Sequence, residues 1–379
     1  MRVAMVCDEF YPDIGGGSLY ATGLSAALAK LGAEPIVITH THAGQPEEGE
    51  FEGVKVKRLK GFVMPRLDRA ISAGLARRLH ESIKFGNFNV VHGQDIYSPM
   101  ALLSIHSARK RKIPSVLTCH SVHKSEGIWR LIYRPIISAM NRANRVIAVS
   151  GAAKGFCVAL GVPDDKIEVI PNGVDLSIFN TDVDGSAMRT KLGLKNEPLI
   201  ATAIRLVKRK GPGHLVNAFS KVLKAIPNAK LAIAGGGTEA ANLRTQIKKL
   251  GVERSVFMLG RLPREQVAEL MAAANVFVLP SMFESFGLVL LEAMAVGTPV
   301  VCTRTQGALE VLEDGEEGLV VPLADVDALA EAIARVLNDR QLAARLRTNG
   351  LKKVRERFSW EETAKRTLAL YEKVREEHA

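Results

Sequence analysis

Two carboxylates, Glu284 and Glu292, bracket the stretch ESFGLVLLE at 284–292. Seven residues lie between them, six of them apolar or Gly. Either a helix starts near Ser285 and happens to carry charge at its ends, or both carboxylates accept hydroxyl donors from one ligand. Eight residues of helix span about 12 Å, which is the reach from a hexose across a diphosphate to a ribose. The backbone N–H groups of Phe286, Gly287 and Leu288 would stand at the helix start without intrahelical acceptors, ready for phosphate oxygens.

Other loops offer matching chemistry. IRLVKRKGPGH at 204–214 places Arg205 and Lys210 before a Gly-Pro-Gly entry to a helix. Two cations and a helix N-terminus make a clamp for a diphosphate; the bland alternative is a solvated basic turn. AGGGTE at 234–239 carries Gly236, and LGRLPREQ at 259–266 carries Arg261. Near the N-terminus, YPDIGGGS at 11–18 supplies Gly15, Gly16 and Gly17, which let backbone approach a ligand closely. That loop is neither G-x-G-x-x-G nor a phosphate loop with its lysine, and a plain tight turn would use the same residues. A single nucleotide diphosphate sugar would satisfy all of these loops together.

The elements that must position them alternate between short β-branched runs and helical patterns. RVAMVC (2–7), PIVIT (35–39), VKVKRL (54–59), NVVHG (89–93), SVLTCH (115–120) and RVIAVS (145–150) read as strands. The segment 18–31 reads as the first helix. A second series follows: PLIATAIR (198–205), AKLAIAGG (229–236), SVFMLG (255–260), VFVLPS (276–281) and PVVCT (299–303). Between the two series lies a Pro/Asn/Gly/Asp-rich stretch at 170–186. This pattern predicts an α/β protein of two facing Rossmann-like domains, each a doubly wound parallel sheet, with a cleft between them. The expected bounds are 1–180 and 181–358, followed by a C-terminal helix over 359–379 that packs back on the N-terminal domain. Asp-Val-Asp at 182–184 reads as linker, and at 325–327 as a helix start rather than a metal motif.

Bulk properties narrow the classes. A chain of 379 residues with 47% hydrophobic content has the material for two cores. The start MRVAMVCDEF lacks the apolar run of a signal peptide, and no stretch is long and apolar enough to span a bilayer. Cys7, Cys119, Cys157 and Cys302 have no paired spacing, which argues against disulfides or zinc and for a reducing cytoplasm. The net charge of +11 is uneven: residues 55–154 hold 19 Lys and Arg against 4 Asp and Glu. A patch of that kind attracts nucleic acid, anionic lipid or a polyanionic substrate.

The chain resembles a family 4 glycosyltransferase with the GT-B fold. The resemblance runs over nearly the whole length through GGG at 15–17, TCH at 118–120, VIPNGVD at 169–175, RLVKRKG at 205–211, AGGG at 234–237, LGRL at 259–262 and the Glu–seven residues–Glu motif. It implies a retaining transfer from a nucleotide-sugar donor with no metal and no cofactor. Arg205 and Lys210 are then the diphosphate pair, Glu284 the contact to the donor sugar, and Glu292 the ribose ligand. Gly16 and its neighbours would lie by the donor phosphates, and His120 beside the sugar. Without the resemblance, His120 reads as a structural histidine at a strand end. Two positions depart from the family pattern: Ile204 stands where many members have Gly, and Gln306-Gly307 where many have two glycines.

Within the family, MVCDEFYPDIGG and RLVKRKG most resemble phosphatidylinositol N-acetylglucosaminyltransferase catalytic subunits and phosphatidylinositol mannosyltransferases. That branch implies an anionic lipid acceptor at the inner membrane face, with UDP-N-acetylglucosamine the first donor and GDP-mannose the second. RLDRAISAGLARRLHESIKFG (66–86) is then expected to be an amphipathic membrane-surface helix, with Trp129 and Tyr133 as interfacial aromatics. The alternatives are a soluble sugar or sugar-phosphate acceptor, a UDP-sugar 2-epimerase of the same fold, and, last, a basic nucleic-acid-binding protein. No nucleic-acid recognition motif is present, so nucleic acid is not an expected partner. Oligomeric state is not legible in the sequence.

Overall fold

A computed structural model of the chain describes residues 1–378 apart from 9, 11–15, 42–44, 62, 65–68, 71 and 121–132. It divides into two compact units, Met1–Gly173 with Trp360–Ala379, and Val174–Ser359.

The first unit is built on an eight-stranded sheet of order β10-β9-β8-β7-β1-β2-β4-β3. Its strands are β1 (Arg2–Val6), β2 (Glu34–His40), β3 (Glu48–Phe51), β4 (Val54–Leu59), β7 (Val90–Gln94), β8 (Ser115–Cys119), β9 (Arg145–Ala148) and β10 (Ile167–Val169). A separate antiparallel pair joins β5 (Val63–Met64) to β6 (Arg69–Ala70). Only β3 runs antiparallel in the main sheet. Helices α1 (Gly16–Lys30), α2 (Ala73–Phe85), α3 (Pro99–Lys110), α4 (Arg134–Arg142) and α5 (Gly151–Ala159) supply the crossovers. Both faces are covered, so central strands are apolar along their length, as a buried parallel sheet requires. Polar exceptions include His92 and Gln94 on β7, at 0% and 2% exposure, and Thr118 on β8, at 0%.

The second unit holds a six-stranded parallel sheet of order β13-β12-β11-β14-β15-β16. The strands are β11 (Leu199–Ala203), β12 (Lys230–Ala234), β13 (Val256–Gly260), β14 (Val276–Leu279), β15 (Val300–Thr303) and β16 (Gly318–Val321). The helices are α6 (Ser186–Lys191), α7 (Pro212–Ala225), α8 (Ala240–Lys249), α9 (Arg264–Ala273), α10 (Leu288–Val296), α11 (Gln306–Val311), α12 (Val326–Asn338) and α13 (Arg340–Arg357). Asp325 caps α12 through the Ala328 N–H, 2.9 Å away.

The units divide at Gly173/Val174, near the start of the turn-rich stretch rather than at 180. That stretch belongs to the second unit because it packs there: Phe179 is buried in that core, and the Asp175 carboxylate meets Arg264 at 3.3 Å. The chain returns to the first unit through α14 (Trp360–Glu376). Tyr371 and Val374 are fully buried there, and the Trp360 indole lies over Gly23, where a Cβ would come within 2.2 Å. All four cysteines are buried.

The expected membrane helix over 66–86 is corrected. Its helical part is α2, which begins at Ala73, capped by Ser72. Its apolar stripe, Leu75, Leu79 and Ile83, is fully buried against Val6, Ile38 and Met100. An apolar face committed to the core is not available to lipid. Tyr133 is likewise buried, beside Tyr97 and Phe156, rather than interfacial. Trp129, Arg66 and Gly15 lie outside the described residues. Many of the cations of 55–154 collect where α3 and α4 end, near the amino ends of β8 and β9: Arg109, Lys110, Arg111, Arg142 and Arg145. There Arg111 approaches His80, and Arg142 approaches His106, each at 3.5 Å. Burial and then Lys110 and Arg142 hold His106 below its usual range. His120 stands at the opposite, carboxyl, edge of that sheet, just after β8. Among the described residues no helix is long and apolar enough to cross a membrane.

Candidate active site

In the second unit the chain winds one way from β11 through β12 to β13, and the other way from β14 through β15 to β16. β11 and β14 are therefore the switch point, where loops diverge and leave a crevice beyond the strands' carboxyl ends. Of the residues singled out by sequence, Arg205 and Lys210 follow β11, and Glu284, Phe286, Gly287, Leu288 and Glu292 follow β14.

After β11 the backbone is laced to its neighbours. Ile204 N–H donates to Ala234 O at 3.1 Å, and Leu206 N–H to Gly236 O at 2.9 Å. On the β12 loop, a Cβ at Gly235 (φ +128) would lie 1.9 Å from Ile204 O. At Gly237 (φ +155) it would lie 2.4 Å from Leu206 O. Glycine is required at both positions by conformation and by space. The Arg261 side chain passes over Gly236, where a Cβ would sit 3.3 Å from its Nε. Arg205 is exposed, with no carboxylate partner among the described residues.

Across the switch point the two loops touch. Met282 N–H donates to Arg209 O at 2.8 Å. Gly211, at φ +62, approaches so closely that a Cβ would lie 2.1 Å from Pro280 O. The Lys210 ammonium forms an ion pair with Glu284 Oε2, both side chains being about five-sixths buried. Ser281 Oγ adds a second donor to the same oxygen at 3.4 Å. Oε1 is left to accept from elsewhere. A buried charge needs such a partner, and the pair holds both groups at the mouth of the crevice.

The loop carrying Glu284 rests on α11. Gly307 N–H donates to Glu284 O at 3.0 Å, and a Cβ on Gly307 would come within 2.3 Å of Phe286 N. Phe286 turns its ring inward against Phe358, centroids 6.0 Å apart. Gly287 takes a left-handed conformation (φ 81, ψ 40) and α10 begins only at Leu288. This corrects the expected helix start near Ser285. The amides without a helical acceptor are those of Leu288 and Val289, Leu290 N–H being bonded to Gly287 O. Glu292 is one turn into the helix, so the Glu284–Glu292 stretch is a loop followed by a turn rather than eight residues of helix. Glu292 lies near Arg264 and Asp175; burial raises its pKa to about 7 against the opposing pull of Arg264.

The family departures fall at positions that absorb them. Gln306 is exposed at the start of α11, and Gly307 is the residue that must be glycine. Ile204 points into the core and contributes only backbone to the loop.

His120 belongs to the first unit. Its Nε2 lies 3.2 Å from Gln94 Oε1, and Tyr20 packs edge-on to its ring at 4.4 Å. Burial lowers its pKa to about 3, so it is neutral at ordinary pH. Gly16 and Gly17 open α1. The sequence reading placed Gly211 in the Gly-Pro-Gly helix entry, and gave no individual role to Gly235, Gly237, Ser281, Arg264 or Gln94. Asp175, the acidic partner of Arg264, does sit in the VIPNGVD motif.

Comparison with known proteins follows the same division. Residues 14–178 match the family described as Glycosyltransferase Family 4, and residues 185–353 match Glycosyl transferases group 1. The D-inositol 3-phosphate glycosyltransferase of Xylanimonas cellulosilytica is 31% identical, over 98% of this chain and 96% of its own length. The chain belongs to the family 4 glycosyltransferases. This glycosyltransferase is also 28% identical to a phosphatidylinositol N-acetylglucosaminyltransferase polypeptide of Arabidopsis thaliana, over 99% of its own chain and 82% of the relative. Its GT-B fold is shared with Anabaena HepE, a structure solved in complex with UDP. There the TM-score is 0.83 at 23% identity, covering 98% of this chain and 100% of the other.

Proposed function

We propose that this glycosyltransferase moves a sugar, N-acetylglucosamine from UDP in the first instance and mannose from GDP in the second, to the inositol of a phosphoinositide-type acceptor, with retention. The observation that carries it is the Lys210–Glu284 pair across the β11/β14 switch point, with Arg205 on the same loop as Lys210. The donor diphosphate would lie against Arg205 and Lys210 and the amides that start α10. Glu284 Oε1 would accept from hydroxyls of the transferred sugar. Glu292, ionised, would accept from the ribose.

As the anomeric bond breaks, negative charge grows on the β-phosphate. Arg205 and Lys210 would stabilise that charge, each contact being worth about 3 kcal/mol of barrier. The proposal assigns this work to these cations, with no metal or cofactor, and assigns no protein nucleophile. The acceptor attacks from the face the nucleotide leaves. The inositol assignment draws on the two relatives, one named for inositol phosphate and one for phosphatidylinositol.

A soluble inositol phosphate is the second acceptor, and two observations favour it. The apolar stripe of α2 is buried, and the α3/α4 cations lie at the opposite sheet edge from His120. A lipid acceptor would make the enzyme cytoplasmic and peripheral at the inner membrane face. The test is mass spectrometry of reactions with a panel of UDP- and GDP-sugars, offered phosphatidylinositol vesicles or free inositol phosphate. One sugar gained by the vesicle lipid supports the first acceptor; one gained only by the free compound supports the second. Donor turnover to an epimer, with neither acceptor modified, would overturn both.

A further inference from the structure

We propose that Gln94 is a positioning residue for His120, holding that imidazole as the Nε2–H tautomer so that Nδ1 is left as the ring's hydrogen-bond acceptor for a sugar hydroxyl. The catalytic consequence rests on the proposed function and on the place beside the transferred sugar that the family resemblance implies for His120.

Gln94 is the last residue of β7, aligned with Thr118 two residues before His120 on the neighbouring strand. Its amide orientation follows from its surroundings. Gln94 Nε2 lies 2.8 Å from Met5 Sδ and 3.1 and 3.3 Å from the two ring nitrogens of His92. The His92 nitrogens are already engaged by Tyr371 and Thr118, but the Met5 thioether offers lone pairs and has no hydrogen to donate, so this side of the amide is the NH2. Oε1 then points at His120 Nε2, 3.2 Å away, and can only accept. His120 Nε2 must therefore carry the proton. A neutral imidazole has one donor and one acceptor, which leaves Nδ1 the acceptor.

Gln94 is itself held. His92, fully buried, is gripped by Tyr371 Oη on Nδ1 at 2.5 Å and by Thr118 Oγ1 on Nε2 at 2.6 Å. Burial keeps His92 neutral, with a pKa lowered to about 3. Tyr371 comes from α14, so the C-terminal helix anchors a polar chain that runs through His92 and Gln94 to His120. Each member except His120 is almost entirely buried. A core without a site would fill this space with apolar side chains at no loss of stability. Here the chain ends on the one imidazole that keeps some exposure.

The test uses the full chain labelled with 15N-histidine, and Gln94→Met, which keeps volume and removes the acceptor. Two-bond 15N–1H correlations report the tautomer of each ring, and the His120 signals are identified by their loss in His120→Asn. The expected result is a single Nε2–H tautomer for His120 in the parent protein and a mixture in Gln94→Met. With it, kcat falls about tenfold while UDP affinity, set in the other unit, is unchanged. Tyr371→Phe, a milder change, should move the same His120 signals in the same direction. An Nδ1–H tautomer in the parent, or the same tautomer in Gln94→Met, overturns the proposal. The NMR result does not depend on turnover. Full activity in His120→Ala would instead sink the role of His120 and remove the kinetic consequence.

Discussion

Replacing Gly307 with alanine should disable the enzyme through one methyl group. Gly307 does not have a positive φ, so alanine is not strained by conformation. The space is the obstacle. The new Cβ would lie 2.3 Å from Phe286 N, 2.5 Å from Ser285 C and 2.6 Å from Glu284 O, all backbone atoms. Ordinary contact needs 3.4 Å, so something must move by about 1 Å. Helix α11 cannot easily retreat, because Ala308 and Val311 are fully buried and Thr305 caps it. The movement passes to 284–286 and carries Glu284 off Lys210. A misplacement of about 1 Å in a catalytic group costs roughly a hundredfold in rate, or about 2.7 kcal/mol of barrier. Overpacking should also lower stability by about 1–3 kcal/mol. The assay is kcat/KM for the nucleotide-sugar, with thermal unfolding alongside. Gln306→Ala, one residue away and exposed, is the control and should match the parent. Gly307→Ala within threefold of the parent in kcat/KM would refute the claim that α11 sets the position of Glu284.

Other outcomes follow from the same geometry. Lys210→Met should lower kcat by roughly 10²–10³, read in single-turnover assays, and a loss under threefold would speak against its role. Glu292 has its folded pKa raised to about 7, so its protonated form favours the folded state. That contribution is complete below the unfolded carboxyl range near 4.5 and disappears as pH rises through about 7. Glu292→Gln should therefore gain stability relative to the parent between those pH values. Donor affinity, which needs the carboxylate, should rise through about pH 7 in the parent and stay flat in the variant, by calorimetry. Gly23→Ala drives a Cβ into the Trp360 indole and should cost about 1–3 kcal/mol in urea unfolding. In a Trp360→Ala background that penalty should vanish.

Much of the fold was legible because hydrophobic runs with β-branched residues mark buried parallel strands at any position. The strands missed were short and outside the sheet centres: β3 reads EGEF, β10 only IEV, β16 GLVV, and β5 and β6 are two residues each. The break was read too late because turn residues after Gly173 look like linker, although they pack through Phe179 and Asp175 into the second unit. The loops were legible where charge and glycine coincide, as at Lys210 and Glu284, which pair across the switch point. They were not legible where a glycine answers a neighbour distant in sequence, as Gly211 answers Pro280 and Gly307 answers Phe286. The membrane expectation for 66–86 shows the opposite failure. A basic amphipathic pattern looks the same whether its apolar face meets lipid or, as Leu75, Leu79 and Ile83 do, a protein core.

The most direct measurement is a calorimetric titration of UDP and GDP into the parent, Arg205→Ala and Lys210→Met. The β11/β14 crevice as donor site predicts saturable binding of one nucleotide by the parent. Each variant should weaken it by about tenfold or more, since a charge-assisted hydrogen bond contributes roughly 1.5–3 kcal/mol. Nucleotide binding that neither substitution changes would place the donor elsewhere and contradict the account.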